Sequence, residues 1–215
     1  IWKLKSRTDL INYAKKYSIE ISKDKKGAPP FSIDDNLFHT STEGKVLENP
    51  KNVAPEFIFQ RTVSPERAPN KPTFVTINFK NSNPYGINGK KLSPSKLLEK
   101  LNILAGKNGI GRVDLVENRF IGIKSRGVYE TPGGTLLMHA HRAMESVTLD
   151  KETMHKKDQA MPRYAELIYN GYWFSKERLK LQKIIDLKKN KVNGSVKLKL
   201  YKGNITIHSR ITKSN

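Results

Sequence analysis

The sequence predicts an α+β fold: a mixed sheet with packed helices and a C-terminal β-hairpin. Three observations carry this. Helical and strand-like patterns mix without the regular βαβ rhythm of a parallel sheet. Near the C-terminus, Val196, Leu198 and Leu200 alternate with Lys197, Lys199 and Tyr201. Lys202-Gly203-Asn204 then turns the chain, and Ile205 and Ile207 alternate back, a strong hairpin signal. Third, Ser93-Pro94, Asp150 and Ser175 each stand just before a helical pattern, as capping residues do.

Taken in chain order, Arg7–Tyr17 carries Leu10, Ala14 and Tyr17 near helical spacing, with Ser6 or Thr8 as its cap. Ile19–Ile21 reads as a short strand. The basic connector Lys23–Pro30 is the candidate domain boundary. It separates residues 1–22 from residues 23–215. Residues 31–47 are polar and less regular, and the prolines at 50, 55, 65 and 69 predict an extended surface passage over 49–70. Thr73–Phe79, with Phe74, Ile77 and Phe79, is β-rich and is followed by a turn at Asn88-Gly89. A helix from Ser93 presents Leu97, Leu98, Leu101 and Leu104 and ends with Gly106 as its cap. Helices then follow over Thr135–Val147, from Asp150 toward Tyr169 with a break or kink at Pro162, and from Ser175 to about Lys189. Gly194 closes that region.

The chain has 215 residues, 36% of them hydrophobic, enough for a sizeable core in one or two domains. No run of about 18 apolar residues predicts a membrane span. The absence of cysteine excludes disulfides, a thiol nucleophile and Cys-ligated metal, and fits a reducing cytoplasm. Ile1 in place of Met, and an end just after a strand-like run, lead us to expect a piece of a longer polypeptide. The net charge is +20. Its lysines are spread along the chain, and the tightest clusters, Lys23–Lys26 and Lys188–Lys191, hold no aromatic residue for base stacking, which weighs against nucleic acid. Such a field also attracts ATP or a dicarboxylate.

Chemistry-bearing residues concentrate in Gly109–Gly134, where glycines alternate with fixed charges. His139 and His141 stand two apart on a predicted helix and so face different ways. Metal-binding helical pairs stand four apart, and no metal site is expected. The Gly109–Arg119 run lacks the third glycine of a dinucleotide loop, and no G-x-x-x-x-G-K-S/T loop occurs, so the chain carries no phosphate cradle of its own. Ser32, Ser41 and Ser125 lack a nucleophile-elbow context. As lone serines they read as caps or turn residues, although Ser32 and Ser41 flank Asp34-Asp35-Asn36 and would equally serve as hydroxyl donors in a polar pocket. Glu117, after the apolar-rich 113–116 run, is placed to bind an α-ammonium group, and Tyr129 offers a directional hydroxyl. An internal ion pair of Glu117 with Arg112 or Arg119 is an equal alternative. Glu130, before Thr131-Pro132, reads as a solvated acid. No catalytic residue is assigned.

GRVDLVENRFIGIKSRGVYETPGGTLL at 111–137, FSIDDNLFHTS at 31–41 and VLENP at 46–50 resemble the C-terminal synthetase region of argininosuccinate synthase. SRTDLINYAKKYSIEI at 6–21 is similar to the end of that family's nucleotide-binding domain, and AELIYNGYWFS at 165–175 and the final hairpin also fit in order. The resemblance covers essentially the entire chain. It implies a ligase of arginine biosynthesis that joins citrulline and aspartate with ATP, through a citrullyl-adenylate, releasing AMP and pyrophosphate. It assigns citrulline-binding roles to Ser32, Ser41, Glu117 and Tyr129. It makes residues 23–215 the synthetase and oligomerisation domain of a cytoplasmic homotetramer. The family's SGGLDTS loop does not occur in these residues, so ATP, with Mg as its counter-ion, and aspartate are expected to be held mainly elsewhere. These 215 residues alone are expected to be inactive. At Lys45 the family more often has glycine. A standalone basic nucleic-acid-binding module and a noncatalytic amino-acid-binding domain are the readings that the long motif displaces.

Overall fold

The computed structural model describes residues 3–21 and 31–212. The chain divides into two compact units, Ile1–Ser32 and Ile33–Asn215. The expected connector lies within residues 22–30, outside the described residues.

In the smaller unit, α1 (Arg7–Lys16) begins with a capping box: Ser6 Oγ accepts from the Asp9 amide, and the Asp9 carboxylate accepts from the Ser6 amide. Ile19–Ile21 forms no strand, and both isoleucines are exposed. An extended segment needs a ladder partner, and the described residues supply none there.

The larger unit is α+β, as the sequence predicts, but its strands form two sheets whose described pairs are all antiparallel rather than one mixed sheet. One sheet contains β1 (Ser32–Asp35), β2 (Thr40–Glu43), β6 (Arg112–Asn118) and β7 (Lys124–Glu130), in the order β1-β2-β7-β6. The other contains β3 (Thr73–Lys80), β4 (Asn83–Ile87), β5 (Lys90–Lys91), β8 (Gly194–Tyr201) and β9 (Asn204–Thr212), in the order β5-β4-β3-β8-β9. Short hairpin connections account for the β3–β4, β4–β5, β6–β7 and β8–β9 pairs, since parallel neighbours need a crossover of a dozen or more residues, while β2–β7 and β3–β8 join strands distant in sequence.

The core lies between the second sheet and two helices, α2 (Pro94–Lys107) and α3 (Pro132–Thr148). Val75, Ile77 and Phe79 alternate inward from β3, and Val196, Leu198 and Leu200 from β8. They meet Leu97, Leu101 and Ala105 of α2 and Leu136, Ala140 and Met144 of α3. Each such large apolar side chain contributes roughly 1.5–3 kcal/mol by its burial. Phe74 is on the other face of β3 and is exposed, because strand side chains alternate with period two. The final hairpin forms as expected, turning on Lys202 and Gly203, which adopt φ 44° and 80°.

Three helix expectations are revised. Gly106 is inside α2, whose cap is Asn108. The α4 helix (Lys151–Tyr169) runs through Pro162 unbroken. Its C-terminal half is held to α5 (Lys176–Ile185) by Arg163, which grips Glu177 through two bonds of 2.7 and 3.0 Å. The 132–134 Pro-Gly-Gly run, which looks like the end of a loop, forms the first turn of α3. Asp150 and Ser175 cap α4 and α5 as predicted.

The 49–70 passage is packed rather than merely superficial. Short 3-10 turns at Glu56–Ile58 and Pro65–Arg67 punctuate it, and Ile58, Thr62 and Ala68 are buried. The Val63 amide donates to Gly106 O at 3.1 Å. A Cβ on Gly106 would lie 2.1 Å from Arg61 O, so only glycine lets this passage touch α2. Lys45 adopts φ 53°, the left-handed region that glycine enters freely, so a glycine here would fit without strain.

Gly106→Ala must push the passage off α2. A loss of about 1–3 kcal/mol, read as a lowered denaturant midpoint, is the expected cost of that overpacking.

Candidate functional site

The segment 109–134 folds into the β6–β7 hairpin and the start of α3. Opposed residues of antiparallel strands share a face, so the register sorts this sheet's side chains. Ser41 opposes Tyr129, and Glu43 opposes Gly127. Across β7, Tyr129 opposes Val113, Gly127 opposes Leu115, and Ser125 opposes Glu117. Ser41, Glu117 and Tyr129 therefore lie on one face, here called the front, with Glu43 and Ser125 between them. Ser32 opens β1 and is exposed, but it belongs to the other unit of the chain. The described face holds three of the four expected residues.

Ser41 is buried. Gly127 lets the Tyr129 ring lie back along β7: a Cβ there would come within 2.8 Å of the ring and 2.9 Å of the phenol oxygen. Burial, and then the nearby Glu117 carboxylate, push the Tyr129 phenol up to about 12. The Glu117 side chain is only 18% exposed, and its Oε1 lies 3.5 Å from an Arg119 nitrogen. Arg119 also pairs with Glu43 and donates to Ser125 Oγ at 3.2 Å. Val113 and Leu115 leave exposed apolar surface on the same face. The arrangement can take a cation at Glu117, accept and donate hydrogen bonds at two hydroxyls, and cover an aliphatic stem.

The back of the sheet is structural. Glu130 is 2% exposed, not solvated as its sequence context suggests. It accepts from the amides of Gln60, Arg61 and Thr62 at 2.8, 2.9 and 2.9 Å and from Thr62 Oγ1 at 2.6 Å. Beside it, Arg112 donates to Thr62 Oγ1 and Thr62 O and forks onto Glu56 at 2.7 and 2.8 Å. Arg126 forks onto Asp114 at 2.8 and 2.7 Å and also donates to Asn49 O and Asn52 O. Of the alternatives left open for Glu117, Arg112 is thus excluded as its partner, and Arg119 is the one observed.

Sequence reasoning missed Glu43 and read Ser125 only as a capping or turn residue. The spacing of Ser41 and Glu43, two apart on a strand, is the signal for the first. The helix histidines diverge: His139 is exposed, while His141 meets Ser82 Oγ at 2.7 Å and Glu145 at 3.7 Å. Among the described residues no group of three His, Asp or Glu comes together to hold a metal ion.

The family description "Arginosuccinate synthase C-terminal domain" matches residues 31–215. The chain belongs to the argininosuccinate synthase family. It is 84% identical over 215 residues to the argininosuccinate synthase of Pelagibacter ubique, covering 100% of this chain and 54% of that protein. It is 60% identical over 212 residues to that of Mesorhizobium japonicum, covering 99% of this chain and 52% of the relative. A third relative, from Caulobacter vibrioides, is 57% identical over 209 residues, 97% of this chain and 51% of the relative. The chain thus spans about half the length of the curated relatives it matches.

Two outcomes follow from this geometry. Glu130→Gln replaces an acceptor oxygen with an NH2 group that faces donors, and it should cost about 2–3 kcal/mol in denaturant unfolding and speed amide exchange at 60–62. Tyr129 keeps its proton in the folded protein where an unfolded tyrosine, at about 10, has lost it. The unfolded state then binds fewer protons, so this residue's contribution to stability falls as pH rises from about 10 to about 12. The tyrosinate absorbance of the native protein minus that of Tyr129→Phe should accordingly stay flat until the pH approaches 12.

Proposed function

We propose that this chain supplies the citrulline face of an argininosuccinate synthase. The protein to which it belongs joins citrulline and aspartate to argininosuccinate with release of AMP and pyrophosphate, by way of a citrullyl-adenylate, as a cytoplasmic homotetrameric ligase of arginine biosynthesis. The observation that carries the reading is the convergence of Ser41, Glu117 and Tyr129 on one sheet face beside a single shared arginine. Citrulline is a zwitterion with a neutral polar tail. Glu117 meets its α-ammonium group, the Ser32, Ser41 and Tyr129 hydroxyls meet carboxylate or ureido oxygens, and Val113 and Leu115 flank its methylene stem. Residues 1–22 belong to the end of the nucleotide-binding domain and 23–215 to the synthetase domain.

ATP supplies the leaving group that activates the ureido oxygen, and its phosphates and Mg2+ are assigned to sequence outside these 215 residues. What this chain's own residues do is bind and orient. Positioning of the reacting oxygen, together with electrostatic stabilisation of the phosphates, carries the rate without a covalent enzyme intermediate.

A charge-assisted hydrogen bond is worth roughly 1.5–3 kcal/mol, about one to two decades. Glu117→Gln in the complete protein should raise the citrulline KM by that factor in an assay of citrulline- and aspartate-dependent AMP release, with the KM for ATP little changed. An unchanged citrulline KM would refute the assignment.

A further inference from the structure

Two arginine–carboxylate pairs sit on the same hairpin, and they differ in kind. On the back, Arg126 closes on both oxygens of Asp114 at 2.8 and 2.7 Å, which leaves that carboxylate saturated. On the front, Arg119 gives its short contact to Glu43 and a second bond to Ser125 Oγ, and it stands off from Glu117 at 3.5 Å. Glu117 is nevertheless largely buried, at 18% exposure, where an uncompensated charge is costly. The root of Arg119 is fixed by the turn itself, since its amide donates to Ile123 O at 2.8 Å and its carbonyl accepts from the Gly122 amide at 2.7 Å.

We propose that Arg119 is a positioning residue for citrulline binding. Anchored on Glu43 and Ser125, it stands off from Glu117 at 3.5 Å and holds that carboxylate in place without closing on both of its oxygens, which leaves room for the ligand's ammonium group. This rests on the reading that Glu117 meets that ammonium.

The charges on the face follow from this division. Glu43 and Glu117 carry two negative charges and Arg119 one positive, so one negative charge remains for one ammonium. The other titratable groups around Glu117 are Tyr129 from β7, which holds its proton at neutral pH, and Tyr169 at the end of α4, which acts on Arg119. Glu43, first by its hydrogen bond and then by its charge, raises the pKa of Arg119, which stays cationic at every working pH. Loss of Arg119 therefore leaves the Glu117 carboxylate without the neighbour that holds its position on the face.

The test uses the complete enzyme, with kcat and the KM for citrulline, aspartate and ATP measured at one neutral pH. Arg119→Gln should raise the citrulline KM roughly tenfold, with kcat and the KM for ATP and aspartate within about threefold. Arg119→Lys should recover only part of that rise, because it returns the charge but not the fork. A Gln variant whose citrulline KM is unchanged, or that loses stability and kcat with no selective rise in citrulline KM, overturns the proposal, since that is what a merely structural arginine would give. Should Arg119→Gln fail to fold, Glu43→Gln carries the test. It releases Arg119 to close on Glu117, which must raise the citrulline KM, and an unchanged citrulline KM overturns the proposal. Glu117→Gln run alongside separates the two claims. If it leaves citrulline KM unchanged, the site reading itself fails. If it acts while Arg119→Gln does not, only the role of Arg119 falls.

Discussion

The buried Glu130 carboxylate is the contact on which the site's geometry depends. A charge taken out of water must be hydrogen-bonded, and three successive amides plus one hydroxyl surround this one. Those amides belong to residues 60–62, so satisfying one side chain clamps the irregular 49–70 passage against β7. Thr62 extends the clamp: its hydroxyl donates to Glu130 and accepts from Arg112, whose fork lands on Glu56. The passage continues to α2 through the Val63 amide and to the β8–β9 turn, where Lys202 Nζ donates to Glu66 O and Ala68 O at 3.3 Å. A segment with almost no regular structure thereby joins both sheets of the larger unit.

This arrangement divides labour between the two faces of one hairpin. Along β7, Arg126, Val128 and Glu130 point back into the strap, while Ser125, Gly127 and Tyr129 point forward. The back is held by bidentate pairs and buried bonds, while on the front one arginine, Arg119, links Glu43, Ser125 and Glu117. Glu117 on the front lies 3.5 Å from Arg119 and beside Tyr129. A binding face must be fixed by something other than the groups that bind, and on the proposed reading the strap supplies that support.

Much of this was legible in the residues. The caps at Ser6, Asp150 and Ser175 and the final hairpin follow from local rules, side-chain oxygens seeking free amides and period-two alternation with turn chemistry, and the shared face of Glu117 and Tyr129 follows from the same alternation once the β6–β7 register is known. What escaped was long-range. Glu130 looks solvated in sequence because its partners are some seventy positions away. Gly106 looks like a helix cap because nothing nearby announces that Arg61 O must touch it. Pro162 looks like a break, yet α4 runs through it, and the Arg163–Glu177 fork that ties that half of α4 down reaches another helix. Phe74 and Ile77 look like one apolar cluster until the strand's alternation sends them to opposite faces. Each miss is a contact between segments that single-sequence patterns treat separately.

The +20 charge of the chain and the single negative charge left on its front face act on different scales. At physiological ionic strength the Debye length is about 8 Å, so lysines spread over the surface set a diffuse positive field and have little say inside a partly buried site. That field draws anions toward the molecule and offers an ammonium group nothing. At Glu117 the balance is decided within a few ångströms, by Glu43, Arg119 and a tyrosine that stays protonated. A zwitterion pays little in the long-range field because its own charges nearly cancel, and it is sorted only on arrival. The same chain can therefore favour anionic partners at a distance and a local cation at the sheet, provided the arginine between the two carboxylates neutralises one of them and not both.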